Sequence, residues 1–381
     1  MVSSNANALG IIFPNSYDSL VPELVSKRLM ASIPFASRYR MIDFLLSSMV
    51  NSGIDNISIV LRQNYRSLMD HLGSGREWDL TRKNGGLNII PPFSEKSINV
   101  YSGRVEALAN ILPLLRSSKE KYVVMADSNV AANIRFSDVI AAHEASGADV
   151  TVLYCRTDFS KRASDTRTDS GEFYYTLQID EDQRVNEIHI NALDVGVQNQ
   201  SLNIYIVDRE FLITQIEDAS VRGITYYERD VLLPSLDRIL VKGYEFTGYV
   251  ALISGIKSYF DENMALLKEE NADALFAGNS IYTKVRDDNP TRYTASAQVK
   301  NIMAADGCVI EGTVENCVLF RGVKVAKGAV VKNCILMQDT VISENVTAEY
   351  LITDKNVTIT ANQEVKGTSS YPVYISKRKI V

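Results

Sequence analysis

ALGIIFPNSYDSLVPELVSKRLMASIPFASRYRMIDF, residues 8–44, is the stretch whose reading decides the fold. It opens with a short apolar run, residues 9–13, that predicts a buried parallel strand. A loop follows, and then residues 39–50 carry a helical pattern. In an α/β sheet the loop after the first strand lies at the carboxyl end of the strands, where ligands bind. A phosphate-binding loop needs glycines there, so that backbone N–H groups can approach the ligand. This loop has Pro14, Asn15, Ser16, Tyr17, Asp18 and Ser19, with no glycine after Gly10. Pro14 has no N–H to offer. The position is that of a phosphate site and the residues are not.

Working outward, apolar runs alternate with helical patterns. Strands are expected at residues 56–62, 87–90, 121–126 and 149–155, with helices at 65–72, 104–116 and 136–146. Pro113 should kink the second of these helices or mark its last turn. Asn51-Ser52-Gly53 is a helix stop. This βαβ rhythm predicts a mostly parallel, doubly wound sheet. Residues 160–170 are polar and read as a loop. An antiparallel pair is expected from 172–179 and 184–190, a strand at 202–207 and a helix at 209–216. A helix at 228–240 despite Pro234, a strand at 244–252 and a last helix at 256–268 complete the domain.

After about residue 295 the helical period gives way to a period of six. One row is Cys317, Val323, Ala329, Ile335 and Val341; a second is Leu319, Val325, Val331 and Met337. Short β-branched runs separated by Gly and Asn on this period predict a parallel β-helix of hexapeptide coils, each stacked on the next. A sandwich of short antiparallel strands is the alternative.

Composition sets the class. The 381 residues are 46% hydrophobic and 23% charged, with a formal net charge of −6, enough for a full core in two domains. The basic cluster Lys377, Arg378, Lys379 reads as a solvated tail, so nucleic acid is not an expected partner. No apolar run is long enough to span a bilayer and no basic leader precedes one, which points to a cytoplasmic protein. Cys155, Cys308, Cys317 and Cys334 include no C-x-x-C pair, and His71, His143 and His189 lie far apart. Reduced thiols and no metal site are the expectation.

Phe35-Ala36-Ser37-Arg38-Tyr39-Arg40-Met41-Ile42-Asp43-Phe44, followed by Asn51-Ser52-Gly53-Ile54, resembles the F-G-G-K-[YF]-R-I-I-D-F and N-S-G-I motifs of the glucose-1-phosphate adenylyltransferases. Tyr101-Ser102-Gly103 stands where that family has Y-x-G-T-A-D-A, and Lys121-Tyr122-Val123-Val124-Met125 resembles the strand leading to its metal aspartate. The resemblance runs in order through nearly the whole chain. It implies an α/β architecture: a nucleotidyltransferase-like (Rossmann-like), mostly parallel sheet domain at 1–277, a linker at 278–294, and a C-terminal left-handed parallel β-helix of hexapeptide repeats at 295–381.

The family transfers the adenylyl group of ATP to glucose 1-phosphate, by positioning and charge neutralisation. Each part that the resemblance implies for this chemistry is altered. The glycine loop G-G-x-G-[ST]-R-L has become residues 14–20. The lysine of R-A-K-P-A-V falls at Met30. The first metal aspartate falls on or beside Asn129, with Asp127 two positions earlier. E-K-P falls at about Asn191 and the second metal aspartate at about Leu252. G-T-A-D-A has become Gly103-Arg104-Val105-Glu106-Ala107. Tyr101, Ser201 and Arg40 align with retained ligand-facing positions.

The pattern is similar to the non-catalytic GlgD-type glycogen biosynthesis subunits of Gram-positive bacteria. That resemblance implies a regulatory subunit with no catalytic residue and no cofactor of its own. Mg²⁺ would belong to a catalytic partner in a mixed tetramer. A sugar-phosphate or nucleotide effector would bind near the domain junction, with Arg38, Arg62 and Arg66 as basic candidates. Two other readings stay open. One is a live transferase with Asp127 as metal ligand and Arg28 or Arg104 for phosphate charge. The other is a stand-alone sensor of a sugar phosphate or nucleotide.

Overall fold

The computed structural model describes residues 6–92, 101–161, 174–192 and 196–381; most of the stretch expected as a loop at 160–170 lies outside these. In chain order the first domain begins β1 (Ala8–Phe13), α1 (Met41–Asn51), β2 (Asn56–Val60), α2 (Arg66–Leu72) and β3 (Gly86–Ile90). It continues α3 (Arg104–Asn110), α4 (Leu112–Ser117), β4 (Tyr122–Asp127), β5 (Val130–Ala131), α5 (Phe136–Ser146) and β6 (Val150–Asp158). Then come β7 (Tyr175–Ile179), β8 (Val185–Ile190), β9 (Val197–Asp208), α6 (Arg209–Val221) and β10 (Val241–Glu245). β11 (Ala251–Leu252), α7 (Ile256–Ala265) and α8 (Glu269–Phe276) close it.

All six residues of β1 are buried, and β1 pairs in parallel with β2 on one side and β4 on the other. Side chains alternate between the two faces, as a strand requires. Ala8 and Ile12 join Leu45, Leu46 and Met49 of α1 in one core. Leu9, Ile11 and Phe13 join Val105 and Leu108 of α3 and Leu212 of α6 in the other. Gly10 has a packing role: a Cβ there would meet the Met49 sulfur at 2.8 Å. α1 starts on a cap in which Asp43 Oδ2 accepts the Arg40 N–H at 2.9 Å. It stops before Gly53, whose φ of +78° suits a left-handed turn.

The sheet is mixed. β9 runs antiparallel between β4 and β6 and bulges between Ser201 and Ile204. Three expected elements differ from the sequence reading. The helix expected at 104–116 is two helices broken at Ile111, with Pro113 in the first turn of the second, where its missing N–H is harmless. The helix expected at 228–240 is a π-turn, Glu228–Leu232, and a 3₁₀ turn, Leu233–Ser235. Pro234 cannot donate to the regular ladder. The strand expected at 244–252 is divided between β10 and β11, which belong to different sheets. α8 follows α7 without a counterpart in the sequence reading. Among the described residues, no helix is long and apolar enough to cross a membrane.

Residues from Arg292 onward form parallel ladders stacked in coils, as the six-residue period predicts. The coil is shorter than a strict hexapeptide repeat. Val314 pairs with Val331 and Val331 with Ala348, 17 residues apart each time. Three strict hexapeptides would take about 18. The missing residue lies at the corner that holds Asn301, Asn316, Asn333 and Tyr350, each at a φ of 50–52°. Asparagine tolerates this left-handed region, and its amide can bond to the coil above. Asn301 Nδ2 donates to Asn316 Oδ1 at 2.8 Å, and Asn316 Nδ2 to Asn333 Oδ1 at 3.3 Å. The strict rows therefore slip: Val318, one residue beyond Cys317, pairs with Ile335.

One side of the β-helix is packed against the first domain. Val318, Phe320, Ile335, Met337 and Ile352 share a core with Met30, Phe44, Tyr259 and Leu275. Inside that seam Arg28 Nη2 donates to both Asp354 oxygens, at 2.5 and 2.7 Å, with side chains only 3% and 2% exposed. The Tyr374 hydroxyl donates to Asp354 Oδ2 at 2.9 Å. Removing one partner of a buried pair leaves the other without its counter-charge. Arg28→Ala is expected to cost about 3–5 kcal/mol. Urea denaturation followed by tryptophan fluorescence and by far-UV circular dichroism should show the lowered midpoint; an unchanged midpoint would mean that the apolar seam alone docks the domains.

Candidate functional site

The loop after β1 is held by its own side chains. Asn15 Oδ1 accepts the Arg62 N–H at 2.9 Å, and its Nδ2 donates to Asp18 Oδ2 at 2.8 Å. Asp18 Oδ1 accepts the Met30 N–H at 2.7 Å. Burial pushes the Asp18 carboxyl up to about 6 despite these bonds. Tyr17, at a φ of +68°, accepts on its hydroxyl from Asn203 Nδ2. Ser16 Oγ donates to Asp127 Oδ1 at 2.7 Å. The segment that would wrap a triphosphate is closed on itself.

Beside it lies a cavity of about 250 Å³, reached by Ser16, Arg62, Tyr101, Tyr175, Asn203 and Tyr226. Its floor is an ion triad. Arg104, in the first turn of α3, donates from Nη2 to Asp127 Oδ1 at 2.7 Å and from Nη1 to Glu228. Its guanidinium carbon lies 4.8 Å from the centre of the Phe13 ring and 5.3 Å from that of Tyr205. Burial works against the Arg104 charge, but the two carboxylates outweigh it and hold the group above its ordinary value. Burial raises Glu228 above the usual carboxylate range, and Arg104 opposes that rise. Among the described residues the lining carries two cations, Arg62 and Arg104, against two carboxylates. The π-turn is what aims Glu228 at Arg104, a role the sequence reading missed because it placed Glu228 at the start of an ordinary helix.

The two positions expected to correspond to metal aspartates, Asn129 and Leu252, are neighbours. Val130, next to Asn129, pairs with Leu252, and the Ile253 N–H donates to the Asn129 carbonyl at 2.9 Å. Leu252 is a buried core residue with no lone pair to give. Asn129 offers one neutral oxygen, Oδ1, which is buried without a partner among the described residues. This donor set does not fit a magnesium ion, which takes charged carboxylate oxygens. Asp127 lines the 250 Å³ cavity, whereas Leu252 lines a separate one, of about 540 Å³, with Cys155, Glu245 and Tyr249.

The remaining candidates are distributed as follows. Met30 is fully buried in the seam core. Asn191 follows β8 at a φ of +49°, at the open end of the β7–β8 pair, its Oδ1 accepting the Tyr174 N–H at 3.0 Å. Tyr101 lines the cavity and donates to the Val60 carbonyl at 2.8 Å; burial raises its pKa. Ser201 is buried in the β9 bulge, bonded to the Asn203 N–H at 3.1 Å, and Asn203 reaches the cavity instead. Arg62 lines the same cavity, and Arg66 is exposed at the start of α2.

Arg38 and Arg40 lie together elsewhere, in a cavity of about 220 Å³ at the domain junction, with Lys284, Arg286, Arg321 and Lys355. His71 also lines it, and among the described residues no acidic side chain does. Arg40 donates to the Ser67 carbonyl at 2.7 Å. Burial and neighbouring cations lower Arg40 to about 10 and Lys355 to about 6. Arg321 is only 8% exposed, and its Nε has no acceptor among the described residues. The sequence gives little sign of this cluster, because its members come from four separated segments.

Residues 23–164 match the nucleotidyl transferase family, and residues 284–369 match the GlmU-like C-terminal hexapeptide family. The chain is 35% identical to the glycogen biosynthesis protein GlgD of Bacillus subtilis (strain 168), over 98% of this chain and 96% of the relative. It is 36% identical to the GlgD of Geobacillus stearothermophilus, over 86% and 83%. It is also 28% identical to the glucose-1-phosphate adenylyltransferase of Geobacillus stearothermophilus, over 85% and 83%.

The triad sets a test. Arg104→Met leaves Asp127 and Glu228 buried without their cation, at an expected cost of about 3–5 kcal/mol near neutral pH. With the cation that opposes it gone, burial holds Glu228 still higher in the folded state, so the deficit shrinks as the pH falls. Arg104→Met/Glu228→Gln should be more stable than Arg104→Met alone. Thermal unfolding of the three proteins across pH checks both statements, and equal midpoints for the single and double variants would reduce Arg104 to a packing residue.

Proposed function

The chain belongs to the family of the GlgD glycogen biosynthesis proteins, and from that premise we propose that it is a non-catalytic, regulatory subunit of a glucose-1-phosphate adenylyltransferase. It assembles in the cytoplasm with a catalytic homologue, in a mixed tetramer, and shifts that partner's activity through subunit contacts. One observation carries the reading: Arg104, the cation best placed to meet a triphosphate, is engaged by Asp127 and Glu228. Joining ATP to glucose 1-phosphate needs cations free to meet charge that develops on phosphorus. Removing a single stabilising group of this kind lowers the rate on the order of 10²–10³-fold. Here a methionine, an asparagine and a leucine stand at three charge-handling positions, and the fourth charge is internally neutralised.

The same geometry speaks against a live transferase. Asp127 is held by Ser16 and Arg104, and Arg28 is held by Asp354, so the residues such an enzyme would recruit are already engaged. A second component of the proposal is an effector site. The junction cavity, lined by six arginine and lysine side chains and, among the described residues, by no acid, suits a phosphate-bearing effector, with Arg38, Arg40 and Arg321 as its anchors.

Pyrophosphate release from ATP and glucose 1-phosphate tests the main reading. It is to be measured for this chain, for the catalytic homologue and for the mixture, at several protein concentrations. The expected result is no release by this chain and a changed rate or saturation in the mixture. Turnover by this chain, abolished by Asp127→Ala, would establish the live enzyme instead. Silence alone with an unaltered mixture, joined to calorimetric binding of a sugar phosphate, would favour a stand-alone sensor.

A further inference from the structure

Among the described arginine and lysine side chains of the junction cavity, Lys355 is the amine crowded by other cations. Five of its six arginine and lysine side chains are Arg38, Arg40, Arg286, Arg321 and Lys284. A guanidinium keeps its proton throughout the physiological range. Lys284 is bonded through Nζ to the Asp70 carbonyl. Lys355 differs. Asp354, beside it in the coil, accepts from Arg28 and Tyr374, and bonds Lys355 only through the backbone N–H, at 2.6 Å.

The charged groups that face Lys355 are nearly all of one sign. Arg28 and Arg40 approach from the first domain and Lys377 from the C-terminal coil, with Asp354 as the acid opposing them. Across the cavity stand Arg38, His71, Lys284, Arg286 and Arg321. Four acids stand behind these groups, outside the described lining: Asp43, Asp288, Asp70 near Arg40 and Asp306 near Arg321. Asp43 accepts from the Arg40 N–H and lies 2.6 Å from His71 Nε2, and Asp288 pairs with Arg286 at 3.0 Å. The Arg321 Nε adds a buried donor that lacks an acceptor among the described residues. A dianion seated here would relieve the crowding of cations.

We propose that binding of a dianion of the phosphate or sulfate type in this cavity is coupled to uptake of one proton by Lys355, so that the site holds its ligand more tightly as the pH falls. This rests on reading the cavity as the effector site. The sign follows from the free state. Burial and the neighbouring cations lower Lys355 to about 6, so its amine is neutral in mildly alkaline solution. A bound dianion restores the ammonium. Between the free and bound pKa values, affinity then rises up to about tenfold for each pH unit of acidification, and levels off below about pH 6. His71, lowered by burial and held by Asp43, is the competing proton acceptor.

Sulfate is the probe, because it does not itself titrate in this range. Full-length protein is titrated calorimetrically at constant ionic strength from about pH 6.5 to about pH 8.5, in buffers of different ionisation enthalpy. The expected result is about one proton taken up per sulfate at the alkaline end, with affinity falling there. Lys355→Met should bind sulfate with no proton uptake and a flat profile, and Lys355→Arg should bind tightly with a flat profile. Sulfate bound by the natural protein without proton uptake, or uptake that persists in Lys355→Met, overturns the linkage while leaving the effector site in place. No sulfate binding by any of the three at any pH overturns the effector site as well.

Discussion

The buried ion pair between Arg28 and Asp354 is the constraint on which the arrangement of the molecule depends. Two charged side chains this far from water are tolerated only when each satisfies the other. The pair therefore selects one docking of the β-helix on the α/β domain. Apolar contact between Met337 or Ile352 and the helices α7 and α8 would tolerate small shifts, whereas the guanidinium–carboxylate geometry does not. The junction cavity is a by-product of that docking. Its walls are Arg38 and Arg40 from one domain, Lys284 and Arg286 from the linker, and Arg321 and Lys355 from the other domain.

Charge is treated in opposite ways at the two cavities. In the site after β1, cations and carboxylates balance among the described residues, and the loop's polar atoms bond within the loop and to Asp127. Arg104 in that site already has its counter-charges without a ligand. At the junction, like charges are held together with no acid in the wall among the described residues and with a donor left over on Arg321. Such a site is suited to the anion proposed above. In the function proposed above, this contrast moves ligand recognition from the place where the family carries out chemistry to the place where the two domains meet.

The alternating pattern of the first half and the six-residue period of the second were legible because burial repeats with the geometry of a strand or a coil. Local elements failed where a single residue overrode the pattern. Pro113 began a helix rather than ending one, and Pro234 turned an expected helix into a π-turn and a 3₁₀ turn. The β-helix row Cys317–Ile335 slipped by one because the coil takes 17 residues, a consequence of the tight asparagine corner that periodicity cannot resolve. At the candidate site, Tyr101 and Arg62 lie in the cavity. Ser201 yields its place to Asn203 through the bulge in β9, and Arg40 lies at the junction instead.

The sequence by itself determined where two charges cannot be. A methionine at 30 and a leucine at 252 cannot carry charge in any fold, so the loss at those positions needs no coordinates. It also determined the two-part architecture, since both periodicities are local. Only the tertiary structure decided what the remaining charges do. Arg104 meets Glu228 across 124 residues, and Arg28 meets Asp354 across 326. The cations of the junction converge from both domains and the linker. The energy of such contacts depends on distance and burial, and neither is written in the local order of residues.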